Sequence, residues 1–255
     1  MEYIVGSATD IGISKPTNQD SYTIKLAKAM NKKVAMCIVC DGMGGLEKGE
    51  VASAYLIDIF SNWFTRQLPS IIHSENVFDT VKNQWEKLLV QANVKLNAYG
   101  QEHRINLGST VTGILLIDNK YLIVNVGDSR TYQLKDRVVQ VTEDQSLIAR
   151  EVKLGRLTPE QALNDPRRNV LLQCVGAVPN IEVEFYTGIA EAGEEFLLCT
   201  DGFRHMISED EMYNALNPKD MNSEEVITDR IKKLIKINME RAESDNITAV
   251  MIKLI

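Results

Sequence analysis

Several familiar features are missing from this chain of 255 residues. No stretch approaches the roughly 18 consecutive apolar residues of a membrane span. The opening residues Met1-Glu2-Tyr3-Ile4-Val5-Gly6 carry no basic run ahead of a long apolar one, so no signal peptide is expected. Low-complexity linkers, internal repeats and long charge blocks are also lacking, and glycines and prolines are scattered as turn punctuation. One domain over 1–255 is therefore expected. Positive charge is in deficit: 28 Lys and Arg stand against 35 Asp and Glu, a net charge of −7. That balance argues against a nucleic-acid groove or an anionic membrane surface as the main partner. It leaves a phosphorylated substrate open, because a bound metal inverts the local field.

Cysteine and histidine are scarce as well. Cys37, Cys40, Cys174 and Cys199 lie in apolar, strand-like stretches. Cys37-Ile38-Val39-Cys40 has a CxxC spacing, but no second close pair completes a zinc site. Buried free thiols are expected, which suits a reducing cytoplasm. His73 and His103 fall on or near long helices and read as structural, and His205 reads as a loop histidine.

Runs rich in Val and Ile predict strands at Tyr3–Ala8, Asp20–Leu26, Lys33–Cys40, Val111–Ile117, Tyr121–Val126, Arg130–Leu134, Arg137–Val141, Ile181–Tyr186, Phe196–Cys199 and Ile247–Leu254. Asp118-Asn119-Lys120 and Lys135-Asp136-Arg137 read as hairpin turns, so antiparallel pairing is expected there. Helical spacing predicts helices over Glu47–Arg66, Asn76–Glu102 and about Ser223–Met239. The first would bury a stripe of Val51, Ala54, Tyr55, Ile57, Asp58 and Phe60; the second, Val77, Val81, Trp85, Leu88, Leu89, Ala92, Leu96 and Tyr99. Trp63 and Trp85 then belong to the core. The order implies an α+β layout, two packed sheets with helices outside. About 145–170 breaks the strand pattern. It offers a short helix at Gln145–Lys153 and a helix start at Thr158-Pro159, with Asp144 as a candidate cap. This excursion reads as a flap near the site or as a plain connecting insertion.

Five aspartates stand at turn-like ends of the apolar runs: Asp20, Asp41, Asp128, Asp201 and Asp245. Carboxylates held at strand ends and converging on one place make an acidic hole that hard cations neutralise. In Asp41-Gly42-Met43-Gly44-Gly45 the carboxylate ends a strand, Gly42 leaves its carbonyl accessible, and the later glycines turn the chain. The Asp41 carboxylate and the Gly42 carbonyl suit one hard metal. The loop lacks the Lys-Ser/Thr ending of a P-loop and the GxGxxG spacing, which argues against a nucleotide cradle. Asp10 and Asp118 read as turn residues, Asn246 as support for the Asp245 turn, and Arg130 as a strand-end partner for a carboxylate or backbone.

Eight short motifs follow in order. They are Thr9-Asp10-x-Gly12, Asn18-Gln19-Asp20, Asp41-Gly42-x-Gly44-Gly45, Gly108-Ser109-Thr110, Gly127-Asp128-Ser129-Arg130, Thr142-Glu143-Asp144, Thr200-Asp201-Gly202 and Ser244-Asp245-Asn246. Together they resemble the PPM/PP2C family of metal-dependent protein serine/threonine phosphatases, in its bacterial branch, from Gly6 to Leu254. The resemblance implies a central β-sandwich of two antiparallel sheets flanked by helices, with a binuclear Mn2+ or Mg2+ centre at one end. It implies that Asp41 bridges both ions, that Asp201 and Asp245 complete the first site, and that the Gly42 carbonyl serves the second. Asp20 would act through a water. Asp128, together with Asp201, would take a third, weaker ion. The implied reaction is hydrolysis of phosphoserine and phosphothreonine by metal-activated water without a covalent intermediate. Partners would be phosphorylated proteins made by a cognate kinase, and the protein a cytoplasmic monomer.

Two departures qualify the match. Lys15 stands where the family usually has an arginine that grips substrate phosphate; it keeps the charge but loses the bidentate fork. Met43 and Gln145 stand where histidine is found in other members, so leaving-group protonation falls to water or another group. A non-catalytic binding module on the same fold and a hydrolase of other phosphoesters remain as alternatives.

Overall fold

Alternation along the strands sets the layers. The structure, a computed structural model, describes residues 1–44 and 48–255. In chain order it begins with β1 (Tyr3–Asp10), β2 (Asp20–Ala29), β3 (Lys32–Met43), α1 (Gly49–Arg66), α2 (Leu68–Ile71) and α3 (Val77–His103). There follow β4 (Gly108–Ser109), β5 (Val111–Ile117), β6 (Lys120–Val126), β7 (Arg130–Leu134), β8 (Val138–Gln140), α4 (Leu147–Lys153) and α5 (Pro159–Leu163). The chain closes with β9 (Glu184–Ile189), β10 (Glu195–Cys199), α6 (Asp201–Arg204), α7 (Glu209–Ala215), α8 (Glu224–Glu240) and β11 (Ile247–Leu254). Gly45 and the expected helix start at Glu47 lie outside the described residues.

Two antiparallel sheets result, ordered β1-β11-β10-β7-β8 and β2-β3-β5-β6-β9, with β4 pairing onto β3. In β3, Val34, Met36, Ile38 and Cys40 face α1 and α3, while Ala35, Cys37 and Val39 face the other sheet. In β11, Ala249 and Met251 face α7 and α8, while Val250, Ile252 and Leu254 face inward. Both faces of the central strands are buried, which is why they read as unbroken apolar runs. The architecture is an α+β sandwich in four layers, helix, sheet, sheet, helix. All four cysteines are buried and free, and Cys37 and Cys40 point to opposite faces of their strand.

The helices follow from their spacing, with one correction. On α3, Val77, Val81, Trp85, Leu89, Ala92 and Leu96 are buried, and Trp85 meets Phe60 edge-on at 5.2 Å. On α1 the buried face is Ala52, Ser53, Leu56, Phe60, Trp63 and Phe64, so of the expected stripe only Phe60 is buried. Val51 and Asp58 point to solvent and Tyr55 and Ile57 are half-buried. This helix is apolar on most of its circumference, and the registers are hard to tell apart without a partner surface. Three helices were not foreseen, α2, α6 and α7; Ser208 caps α7 in a reciprocal capping box with Glu211. The strand expected from Ile181 begins instead at Glu184, because 181–183 precede its pairing with β6.

Antiparallel order brings strand ends of both sheets to one rim. Asp10 lies opposite Ile247, Val111 opposite Val126, and Cys199 opposite both Arg130 and Ala249. Asp20 lies directly opposite Asp41. The excursion leaves from the same rim. Its two ends are tied together by Leu147 N–H to the Val170 carbonyl (2.8 Å) and Leu172 N–H to the Gln145 carbonyl (2.8 Å). Thr158 caps α5 in a capping box, with Pro159 at the first helical position.

Candidate metal centre

Asp20 and Asp41 begin and nearly end adjacent strands as a directly opposed pair. Like charges so placed repel across about 5 Å. Asp41 is fixed by its backbone: its N–H donates to Thr110 Oγ1 (3.0 Å), and its carbonyl accepts from Thr110 N–H (2.9 Å). Thr110 Oγ1 in turn shares a hydrogen bond with Ser129 Oγ (2.7 Å), which ties the Asp128 loop to Asp41. Thr200, fully buried, joins the two sheets at the rim: its hydroxyl donates to Asp20 Oδ2 (2.9 Å) and accepts from Thr248 N–H (3.1 Å). The next residue, Asp201, opens α6.

Two glycines allow the close approach. A side chain at Gly42 would run into the carbonyls of Gly49 and Gln19, and one at Gly202 into the carbonyl of Asn246. Asn246 does more than support its own turn. Its amide donates to the carbonyls of Ile11 (2.9 Å) and Thr17 (3.2 Å), and its Oδ1 accepts from Gln19 N–H (2.8 Å). That clamps the 11–19 loop, and with it Lys15, against Asp245. Lys15 Nζ lies 2.8 Å from Asp245 Oδ1.

The electrostatics show mutual repulsion. Burial, then the charges of Asp20, Asp201, Asp128 and Asp245, push the Asp41 carboxyl well above the ordinary range. Burial lifts Asp20 to about 7, against the Thr248 and Thr200 hydrogen bonds, with Asp201 and Asp245 adding to the rise. Burial and Asp201 lift Asp128 to about 7, partly offset by Arg204. Burial works against the charge on Lys15, but Asp245, with Asp41 and Asp201 behind it, holds the ammonium above its usual pKa. Asp20, Asp41 and Asp128 feel their neighbours' charges because these carboxylates share one rim.

The donor set fits hard cations. Every candidate ligand is an oxygen, and Asp20 Oδ1 and Asp201 Oδ1 are buried without a hydrogen-bond partner. Such acceptors are costly unless a cation meets them. As placed, no three His, Cys, Asp or Glu side chains among the described residues form a ready-made cage. The cation that faces Asp245 is the Lys15 ammonium.

Three residues behave differently from their sequence reading. Asp144 caps no helix: Arg130 grips it with Nε on Oδ1 (2.7 Å) and Nη2 on Oδ2 (2.8 Å), and Ser146 caps α4 instead. Arg130 is thus the carboxylate partner expected of it. His205 is no bystander: Nε2 lies 3.6 Å from Asp201 Oδ2, and Nδ1 3.3 Å from Glu243 Oε2. Burial opposes its protonation, but Glu243 and Asp201 prevail and its pKa rises. Gln145 is structural, accepting from Gly127 N–H (2.8 Å) and donating to the Glu182 carbonyl (2.9 Å). Sequence reasoning missed Thr110, Thr200 and Arg204; the family motifs contain the two threonines but assign them no chemistry. Asp10 and Asp118 are turn residues, accepting from Gly12 N–H (2.9 Å) and Lys33 N–H (2.9 Å).

The family model described as "Protein phosphatase 2C" matches residues 13–248. The "Serine/threonine phosphatase stp" of Listeria innocua is 30% identical over 249 residues, covering 96% of this chain and 93% of the relative. A solved Streptococcus agalactiae serine/threonine phosphatase superposes with a TM-score of 0.87 at 26% identity, covering all of both chains. The catalytic domain of the phosphatase PstP, solved with two manganese ions, is similar in fold, with a TM-score of 0.78 at 24% identity over 99% of each chain.

Proposed function

The chain belongs to the protein phosphatase 2C family, and from that premise we propose that it hydrolyses phosphoserine and phosphothreonine on proteins at a centre of two Mn2+ or Mg2+ ions. The observation that carries this reading is the rim itself. Asp20, Asp41, Asp201 and Asp245 are gathered there with two buried carboxylate oxygens left without partners. Asp41 would bridge the ions, Asp201 and Asp245 would complete one site, the Gly42 carbonyl would serve the other, and Asp20 would act through a water. Bound there, the ions would supply positive charge that lowers the pKa of the attacking water towards neutrality.

The chain's own residues do the rest. Thr110 and Thr200 hold Asp41 and Asp20 rigidly, so little reorganisation is needed when charge develops. Lys15, on a loop clamped by Asn246, is placed to exchange Asp245 for a substrate phosphate oxygen. His205 and Glu243 orient Asp201 from behind. The 145–170 excursion, pinned at its base beside the Asp128 loop, would act as a flap that meets the protein part of the substrate. Substrates would be products of a serine/threonine kinase.

The test is turnover of p-nitrophenyl phosphate and a phosphothreonine peptide with Mn2+, with Mg2+ and with EDTA. Metal-dependent hydrolysis of both is expected. No metal-dependent turnover of either overturns the proposal.

A further inference from the structure

We propose that Arg204 is a built-in cation for Asp128, so that this protein's centre holds two divalent ions and excludes a third at Asp128. The inference rests on the two-ion reading above. Arg204 closes the short helix opened by Asp201, and its side chain is 12% exposed. One nitrogen, Nη2, donates to the Asp128 carbonyl (3.1 Å) and lies 3.6 Å from Asp128 Oδ2 and 3.5 Å from Asp144 Oδ2.

Part of the negative charge at Asp128 is answered by this guanidinium without a metal. Asp144 is already gripped by the Arg130 fork, so the second guanidinium is left to answer Asp128. Two arginines face two aspartates. A guanidinium stays protonated in any protein setting, so this positive charge cannot be shed to admit an ion. An ion shared by Asp128 and Asp201 would sit beside that fixed charge, unscreened by bulk water. Asp201 is also divided: Oδ2 faces His205, while Oδ1 is buried and free of hydrogen bonds. The free oxygen would serve the two-ion centre, whereas Asp128 Oδ2 already faces the Arg204 guanidinium.

The experiment counts ions. EDTA-stripped protein is reloaded with Mn2+ up to the millimolar range, and stoichiometry is read by native mass spectrometry and calorimetry. Wild type is expected to take two ions, Asp128→Asn to take two, and Arg204→Met to gain a third that is lost again in Arg204→Met with Asp128→Asn. A third ion in wild type that disappears in Asp128→Asn overturns the role of Arg204 and leaves the two-ion reading standing. A folded Arg204→Met that gains no ion also overturns it. Wild type that takes fewer than two ions overturns the two-ion reading and this inference with it. The wild-type and Asp128→Asn arms leave Arg204 untouched, so they decide whether Asp128 takes an ion even if Arg204→Met fails to fold, and Arg204→Lys, which keeps the charge and should still take two ions, then tests the residue itself.

Discussion

Lys15→Met should move metal affinity and substrate affinity in opposite directions. The ammonium sits 2.8 Å from Asp245 Oδ1 and feels Asp41 and Asp201 beyond it. An ion arriving at Asp245 must therefore displace a tethered positive charge. Both partners are a little over one-third exposed, 37% and 35%, so the pair is screened by water and carries the value of a surface ion pair. Such pairs contribute about 0.2–1 kcal/mol, which converts to roughly 1.5- to 5-fold tighter Mn2+ binding once the lysine is gone. The gain should shrink in high salt, as screened interactions do. The KM for a phosphothreonine peptide should rise at saturating Mn2+, because the cation that would meet phosphate has been removed. Lys15→Arg should keep metal affinity near wild type and lower KM through its bidentate fork. The assay is calorimetric titration of Mn2+ into stripped protein, paired with steady-state kinetics. Unchanged or weaker Mn2+ binding in Lys15→Met would refute the idea that the lysine competes for Asp245.

Two further outcomes follow from the buried charges. Asp41→Asn should lower kcat by more than the roughly 10- to 100-fold that loss of an outer metal-site partner alone costs. It should also raise the unfolding midpoint of the metal-free protein, because it removes a carboxylate repelled by Asp20, Asp201, Asp128 and Asp245. Each kcal/mol relieved is worth about 2–4 °C in a domain of this size, and a lowered midpoint in EDTA would contradict the picture. Glu195 is a separate case. It is fully buried beneath Lys253, whose ammonium is held by the carbonyls of Pro218 and Met221, and burial pushes its carboxyl up to about 8 against the pull of Lys253. A folded pKa above the unfolded one means the contribution is complete below about 4.5 and is lost as pH rises through about 8. Glu195→Gln should therefore flatten the fall in urea midpoint between pH 5 and pH 8.5, and an unaltered slope would show that the carboxyl does not titrate there.

Local pattern was enough where a segment's environment is uniform. Val111–Ile117, Arg130–Leu134 and Ile247–Leu254 begin and end where the sequence predicts. On α3 a polar face left one register to read, and the expected stripe is the buried one apart from half-buried Leu88 and Tyr99. On α1, apolar residues nearly encircle the helix, and only the surfaces of β3 and α3 select Leu56 over Ile57. The α7 start was readable in principle, since Ser208 and Glu211 have capping-box spacing. Asp144 was not: its partner Arg130 lies fourteen residues away across the β7–β8 hairpin, and nothing local distinguishes an ion-paired carboxylate from a cap.

The chain by itself determined the pattern of the candidate site: aspartates at strand ends and glycines where backbone must approach backbone. Those depend on residue type and short spacing, which sequence carries directly. Tertiary structure decided which charge answers which. Asp20 meets Thr200 across 180 residues, Lys15 meets Asp245 across 230, and Arg204 meets Asp128 from the end of α6. Electrostatic pairing falls off with distance in space and burial, and neither is defined until the antiparallel sheets bring their ends to one rim.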